Sequence, residues 1–262
     1  MDLEHIHRVG IAAAYKGAGV LRSHLGKISQ IGKKGDIDLV TEADLESEKQ
    51  IISTIQKTFA NHSILAEESG LKKGGSEHRW LIDPLDGTTN YAHQLPIFAI
   101  SIAFALKDEI LVGIVLNPVN GELFSAIRGS GAQLNGKPIR VSSTEQVSES
   151  LLVTGFPYNI RELFDMIMAR YSRCLWAARG VRRLGSAALD LCYVACGRFE
   201  GFWEQGLKPW DTAAGSLVAA EAGARVTDFS NQPFRVGSKH ILATNGRIHE
   251  EMLTLLRLKD GE

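Results

Sequence analysis

The sequence predicts a mixed α/β chain of two closely packed halves, an α+β half over residues 1–145 and an α/β half over 146–262. Three observations predict it. Residues 3 to about 26, and a second stretch ending before Asn61, carry apolar residues at helical spacing. Short apolar runs then follow one another in hairpin order up to about residue 145. Beyond that seam strands alternate with amphipathic helices, the order of an α/β sheet. With 262 residues and 44% hydrophobic content the chain has material for a large core, in one large domain or two packed halves.

Leu3, Ile6, Val9, Ala13 and Val20 mark the first helix, which stops near Gly26. A polar segment rich in Gly and Lys, residues 32–36, leads to Asp38-Leu39-Val40-Thr41. Thr41-Glu42-Ala43-Asp44 has the form of a capping box opening a second helix, whose apolar face carries Ile51, Ile52, Ile55 and Phe59. The run from Ser63 to Ala66 is short and apolar and ends in Glu67-Glu68. Trp80-Leu81-Ile82 starts a buried strand that ends in Asp83-Pro84-Leu85-Asp86-Gly87-Thr88-Thr89-Asn90-Tyr91. From Pro96 to Leu106 the chain is almost continuously apolar, as in a strand buried on both faces. Asn120-Gly121 joins two strands as a hairpin, and Asn135-Gly136 makes a further turn.

In the second half, strands are expected over residues 151–156, 199–204, 224–229 and 241–244, with a short apolar-basic stretch over 181–184. Helices are expected over 161–176, 186–196, 212–222 and 248–258.

Composition narrows the function classes. Twenty-nine Lys and Arg against thirty Asp and Glu leave a net charge of −1, so nothing global points to nucleic acid or an anionic membrane as the main partner. No apolar run approaches the roughly 20 residues of a membrane span. The charged N-terminus lacks the apolar core of a signal peptide, and Cys174, Cys192 and Cys196 form no disulfide framework or metal-binding pair of motifs. A reducing, cytoplasmic setting is expected. Cys192 and Cys196 read as buried small apolar residues, and His5 and His7 as solvent-exposed on the first helix.

The chemistry lies in the acids. Asp83 and Asp86 are three positions apart, and carboxylates so close repel unless a cation sits between them. Mg²⁺ answers that need with one or two carboxylates plus substrate phosphate. On these residues alone an ordinary Asp-Pro turn followed by a helix cap is an equal reading. Three chain regions end apolar runs in acids: Glu67-Glu68, Asp83 with Asp86, and Asp211 in Leu207-Lys208-Pro209-Trp210-Asp211-Thr212. Asp38 and Asp44 add a fourth acidic region. Singly, Asp211 reads as a helix N-cap, Asp44 as a capping-box acid and Glu67 as a turn residue. Together they read as one oxygen-rich cage for hard cations at a sheet edge, and such a cage implies phosphoryl chemistry through two metals. Gly87-Thr88 and Gly185-Ser186-Ala187 open apparent helices with small residues that let a phosphate approach backbone N–H groups.

These residues resemble the inositol monophosphatase family, within the lithium-sensitive, Mg²⁺-dependent phosphatases. The resemblance rests on Asp83-Pro-Leu-Asp86-Gly-Thr88-Thr-Asn with Glu67-Glu68 upstream and Trp210-Asp211-Thr-Ala-Ala-Gly215 downstream. It extends in order through residues 38–44, 185–190, 197–201 and 243–246. It implies a layered α-β-α-β-α sandwich, usually dimeric, binding two or three Mg²⁺. By resemblance, Glu67, Asp83 and the Leu85 carbonyl would hold the first metal, and Asp83, Asp86 and Asp211 the second. Thr88, hydrogen-bonded to Asp44, would orient the attacking water, with Glu67 helping to deprotonate it. Gly87 and Thr88 amides would take phosphate oxygens. Glu204 would bind substrate hydroxyls, Gly185, Ser186 and Ala187 would line the polyol side with Arg182 nearby, and Lys33 would approach the third metal or phosphate.

The resemblance implies hydrolysis of myo-inositol 1-phosphate. The string Thr88-Thr-Asn-Tyr-Ala-His93 resembles the inositol branch rather than the nucleotide branch of the superfamily. Two other expectations stay open: a broad sugar-phosphate phosphatase of the fructose 1,6-bisphosphatase or NADP phosphatase type, and a role beside RNA or RNA polymerase. For the last, Arg179, Arg182 and Arg183 form a small basic cluster, though a neutral chain gains little salt-dependent affinity for nucleic acid.

Overall fold

The structure, a computed structural model, describes residues 1–27, 31–33 and 39–258, with backbone alone for 31–33 and 39–40. Asp38 lies outside the described residues, and the side chain of Lys33 does too.

The chain begins with α1 (Leu3–His24), the short antiparallel pair β1 (Ile31–Lys33) and β2 (Leu39–Thr41), and α2 (Glu42–Thr58). There follow β3 (Ser63–Ala66), β4 (Gly70–Lys72), β5 (His78–Asp86), the single-turn α3 (Thr88–Ala92), β6 (Ala99–Leu106), β7 (Glu109–Asn117), β8 (Glu122–Ile127), β9 (Ala132–Leu134) and β10 (Lys137–Pro138). The second half holds β11 (Leu151–Thr154), α4 (Phe164–Ala177), β12 (Gly180–Arg182), α5 (Ala187–Ala195), β13 (Gly201–Gln205), α6 (Pro209–Glu221), β14 (Arg225–Thr227), β15 (His240–Thr244) and α7 (His249–Leu256).

Two sheets result. An eight-stranded sheet runs β10-β9-β8-β7-β6-β5-β3-β4 and a five-stranded one β12-β11-β13-β15-β14. Their strands separate in sequence between Pro138 and Leu151. Four apolar clusters map onto the four interfaces of a five-layer stack. Residues of α1 and α2 pack on one face of the large sheet through Ala14, Leu21, Ile51, Trp80, Ile100 and Ile114. The opposite face meets α5 and α6 through Ala103, Val115, Phe124, Ala188, Ala214 and Val218. The small sheet meets α5 on one side through Val153, Leu191, Phe202 and Ala243. On its other side it meets α4 and α7 through Leu152, Cys174, Leu242 and Met252. The order is therefore α-β-α-β-α, and the small residues of α5 and α6 let that middle layer pack between two sheets.

Several local expectations are met for the reasons given. Thr41 caps α2, with Asp44 accepting from the Thr41 N–H at 2.8 Å. Asn135 and Gly136 both take positive φ, +50° and +76°, in the turn between β9 and β10. The cysteines are free; Cys192 is buried as expected, while Cys196 is half-buried. Others need correction. His5 and His7 are half-buried, His5 packing edge-on to Phe59 at 5.6 Å. Helix α6 starts at Pro209, so Asp211 stands in its first turn rather than at the cap position. Residues 70–72 pair with β3 as an edge strand. Among the described residues no helix is long and apolar enough to cross a membrane.

Candidate active site

The site forms where β5 ends, and a bulge makes it. In a regular strand, residues three apart point to opposite faces, because side chains alternate with period two. Against β6, however, Asp83 pairs with Ser101 and Asp86 with Ala99, so β5 spends three steps on its partner's two. The extra residue returns Asp83 and Asp86 to one side, and both line the same pocket. Pro84 is what permits this in a central strand, since it has no N–H to give to the ladder. Its carbonyl accepts from Ser47 Oγ at 3.1 Å, and Asp83 Oδ1 accepts from the Leu85 N–H at 3.0 Å, which fixes the turn.

Neighbouring elements bring the other acids in. β3 runs parallel to β5 with Ala66 opposite Ile82, and the Glu67 N–H donates to the Ile82 carbonyl at 3.1 Å. Glu67 thus follows the end of β3 just as Asp83 follows Ile82. Glu48, buried on α2, accepts from the Glu68 and Ser69 N–H groups at 2.8 and 3.0 Å and holds that turn. Asp211 comes from α6, where its Oδ2 accepts from the Lys208 N–H at 2.7 Å. Glu67, Asp83, Asp86 and Asp211 all line one cavity of about 260 Å³, with Leu85, Gly87, Thr88, Gly185, Ser186, Ala187 and Glu204.

At Gly87 the chain turns with φ +98°, and a Cβ there would lie 3.0 Å from the Ile97 carbonyl and 3.1 Å from the Gly185 carbonyl. Only glycine fits. Asn90 locks the same junction, donating through Nδ2 to the Ile97 and Leu184 carbonyls at 2.7 Å each. Thr88 Oγ1 lies 3.2 Å from Asp44 Oδ1 and 3.1 Å from the Leu85 carbonyl, so the expected Thr88–Asp44 hydrogen bond is present.

The electrostatics follow from this crowding. Burial raises the pKa of Asp83 and Asp211 well above the ordinary range, with further contributions from the neighbouring carboxylates. Burial raises Asp86 as well, to about 6, with Ser186 and Ala188 hydrogen bonds opposing it. Glu204, buried on β13, is pushed up to about 8 by desolvation and then by Asp211 and Asp86. Such a donor set, all oxygen and costly to leave charged and uncompensated, suits a hard divalent cation. Among the described residues no three His, Cys, Asp or Glu side chains close into a ready-made metal cluster. Asp83, Asp86 and Asp211 all line the pocket, and each accepts from a backbone N–H.

One expected site residue, Arg182, is placed differently. Arg182 is exposed, its Nη1 on its own neighbour's carbonyl, and it does not line the cavity. Arg183, the next residue, does. Ser186 lines the cavity, but its hydroxyl donates to Asp86 Oδ2 at 2.7 Å. Sequence reasoning passed over Glu48, Ser47 and Asn90 as supporting residues. Glu48, an acid recurring on the apolar side of α2, was the one available signal.

A layered fold of this kind with a carboxylate-lined pocket at the strand ends defines a class of phosphatases. The chain belongs to the inositol monophosphatase family, whose model matches residues 2–259, and it is a phosphatase of that family. Its relatives carry two kinds of name. An inositol-1-monophosphatase of Synechocystis is 44% identical over 253 residues, 96% of this chain and 88% of the relative. The Nus factor SuhB of Haemophilus influenzae is 42% identical over 252 residues, 95% of this chain and 94% of the relative. Among solved structures, the extragenic suppressor protein suhB of Bartonella henselae superposes with a TM-score of 0.94 at 38% identity, covering 98% of this chain and all of the other. An inositol monophosphatase from Anabaena gives 0.89 at 42% identity, covering 98% and 96%.

Proposed function

We propose that this chain is a Mg²⁺-dependent phosphomonoesterase that hydrolyses myo-inositol 1-phosphate by attack of water. The observation that carries it is the convergence of Glu67, Asp83, Asp86 and Asp211 on one cavity, with the Thr88–Asp44 pair beside them and Glu204 on another wall. Glu67, Asp83, the Leu85 carbonyl, Asp86 and Asp211 would hold the ions, two or three in number. When bound, Mg²⁺ supplies neutralisation of the phosphate charge and a more acidic water.

The protein's own groups do the rest. Asp44 accepts from the Thr41 N–H, the Thr41 hydroxyl and Thr88 Oγ1, so it stays fixed as an acceptor. The single Thr88 proton serves Asp44 Oδ1 or the Leu85 carbonyl, and the lone pairs of the hydroxyl orient a water. Glu67 takes the proton of that water. Gly87 and Thr88 N–H groups receive phosphate oxygens, and Gly185 and Ala187 shape the wall beside Glu204, which accepts substrate hydroxyls. Asp86 and Asp211 sit between the phosphate and polyol sides.

Phosphate release from a panel of esters, with and without Mg²⁺, tests this reading. The panel is myo-inositol 1-phosphate, fructose 1,6-bisphosphate, NADP⁺ and nucleoside monophosphates. The highest kcat/KM falls on the inositol ester and vanishes with chelator. A preference for fructose 1,6-bisphosphate or NADP⁺ would move the assignment to the broader type.

A second reading is favoured by the relatives named Nus factor SuhB. On it, the chain also contacts RNA polymerase, with the exposed Arg182 and Arg183 beside Arg179 as a basic surface. Retention of polymerase by both the native protein and Asp86→Asn would support it. A cytoplasmic homodimer, inhibited by millimolar Li⁺, completes the proposal. Leu175 and Trp176, exposed at the end of α4, offer apolar surface for pairing. Sedimentation and a Li⁺ titration test these points.

A further inference from the structure

Asp190 is 1% exposed on α5, and neither of its carboxylate oxygens has a hydrogen-bond partner. Among the described residues the only other buried side-chain polar atom in that state is His7 Nε2, far off on α1. A buried carboxyl without donors is strongly disfavoured, because it has lost its water and gained nothing. Structural carboxyls in this protein are not left so: Asp44, Glu48 and Asp228 each accept at least two N–H or hydroxyl donors.

Asp190 belongs to the wall of the catalytic cavity, together with Gly155, Phe156, Arg183 and Glu204. The charged groups that face it are Glu204, Asp86 and Arg183. The two acids have no proton to give unless neutral. Arg183 is turned elsewhere, its guanidinium carbon 5.9 Å from the Phe156 ring centroid and its Nη1 3.1 Å from where a Cβ at Gly185 would stand. Glu204 itself presses so closely on Gly155 that any Cβ there would collide with its carboxylate. One wall thus carries two buried carboxyls, Glu204 and Asp190, and Asp190 has no donor.

We propose that Asp190 is a specificity-determining residue of the site, reading hydroxyl groups on the carbon frame of the substrate beside Glu204. This rests on the phosphomonoesterase reading and adds a residue to it: the O–H groups of the polyol, directly or through one ordered water, supply the donors that Asp190 lacks. Esters without such hydroxyls leave the carboxyl unsatisfied and are selected against.

The test compares myo-inositol 1-phosphate with cyclohexyl phosphate, which has the same ring and no other hydroxyl, in the presence of Mg²⁺. Asp190→Asn keeps the shape and removes the carboxylate. It should lower kcat/KM for the inositol ester about tenfold through KM, the upper scale of a single hydrogen bond, and leave the cyclohexyl ester within about twofold. Its melting temperature should be unchanged or higher, since a desolvated carboxyl has been removed from the unliganded protein. Glu204→Gln, which does not depend on how Asp190→Asn folds, should retain a preference of about tenfold for the inositol ester. Equal losses on both esters with a lowered melting temperature would show a structural role and overturn the inference. So would unchanged discrimination in Asp190→Asn, or a Glu204→Gln protein with no preference left. If the native protein hydrolyses neither ester with Mg²⁺, the phosphatase reading falls and this inference with it. If it hydrolyses both and only discrimination fails to respond, the inference alone is lost.

Discussion

Ser186 Oγ donates to Asp86 Oδ2 at 2.7 Å, joining residues one hundred positions apart. The same oxygen accepts from the Ala188 N–H at 2.8 Å. Ser186 stands at the cap position of α5 but makes no side-chain cap of its own helix. Its hydroxyl instead pins an acid at the end of β5, so the two halves of the chain meet in a site acid. Burial drives the Asp86 pKa up, and these two donors oppose it.

Removing the hydroxyl should therefore be felt at Asp86. Ser186→Ala is expected to lower kcat/KM about tenfold, the scale of a hydrogen bond to a charged group, and to raise the Mg²⁺ concentration giving half-maximal rate. Ser186→Thr, which restores the donor, should recover most of the loss. A Mg²⁺ titration of both variants checks this. An unchanged Mg²⁺ dependence in Ser186→Ala would mean that the hydroxyl serves packing alone.

Asp44 Oδ1 and the Leu85 carbonyl are the two acceptors in reach of the Thr88 hydroxyl proton. In Asp44→Asn an amide N–H₂ faces either Thr41 or Thr88, and the second arrangement reverses the Thr88 proton. A fall in kcat of about 10² is expected, the low end for a positioned proton-transfer group, with KM within about twofold. Steady-state kinetics separates the two parameters. A rise in KM without loss of kcat would place Asp44 in substrate binding instead.

At Gly87 the positive φ and the two carbonyls near 3 Å leave no room for a methyl group. Gly87→Ala should cost about 1–3 kcal/mol of stability, the scale of local backbone strain, seen as a melting temperature several degrees lower. Activity should fall further than stability does, because the Gly87 and Thr88 N–H groups shift together. Calorimetry beside an activity assay reads both.

His249 gives a pH dependence remote from the catalytic pocket. It is fully buried between Thr227 and Thr244. Thr227 Oγ1 donates to the Asp228 carbonyl at 2.7 Å, so His249 Nε2, 3.0 Å away, is the donor to it. Thr244 Oγ1 accepts from the Gly246 N–H and so donates to Nδ1 at 2.8 Å. The ring is thus neutral, and burial, then Arg225, lowers its pKa to about 4. In the unfolded chain a histidine takes its proton near 6.5. Between those values the unfolded state binds more protons, so stability is full above about 6.5 and falls as the pH drops toward 4. This one group should remove about 2 kcal/mol between pH 7 and pH 5. Urea unfolding across that range measures it, and His249→Gln should flatten the slope.

Much of this was legible in the sequence, for reasons that can be named. The Thr41–Asp44 box, the Asn135-Gly136 turn and the acids at strand ends depend on local chemistry, which a string of residues displays. The apolar run from Ala99 to Leu106 displayed its burial on both faces, and the structure places it at the middle of the large sheet. What escaped depends on distance and parity. Whether Arg182 or Arg183 reaches the cavity turns on a one-residue phase after β12. The bulge at Asp83–Asp86 is visible only once β6 is laid beside it. The Ser186 hydroxyl reads locally as a helix cap, and nothing near it in sequence names Asp86 as its acceptor. Residues 70–72 carry too few apolar side chains to announce an edge strand.

The central claim is that four carboxylates, three at strand ends and Asp211 in the first turn of α6, act together as a Mg²⁺-dependent phosphatase site for a polyol ester. The most direct test is phosphate release from myo-inositol 1-phosphate by the native protein and by Asp86→Asn, each with Mg²⁺ and with chelator. The account predicts turnover in the native protein with Mg²⁺ alone, and none above background in Asp86→Asn although it folds. Mg²⁺-dependent turnover that survives Asp86→Asn, or native turnover that persists in chelator, would contradict it.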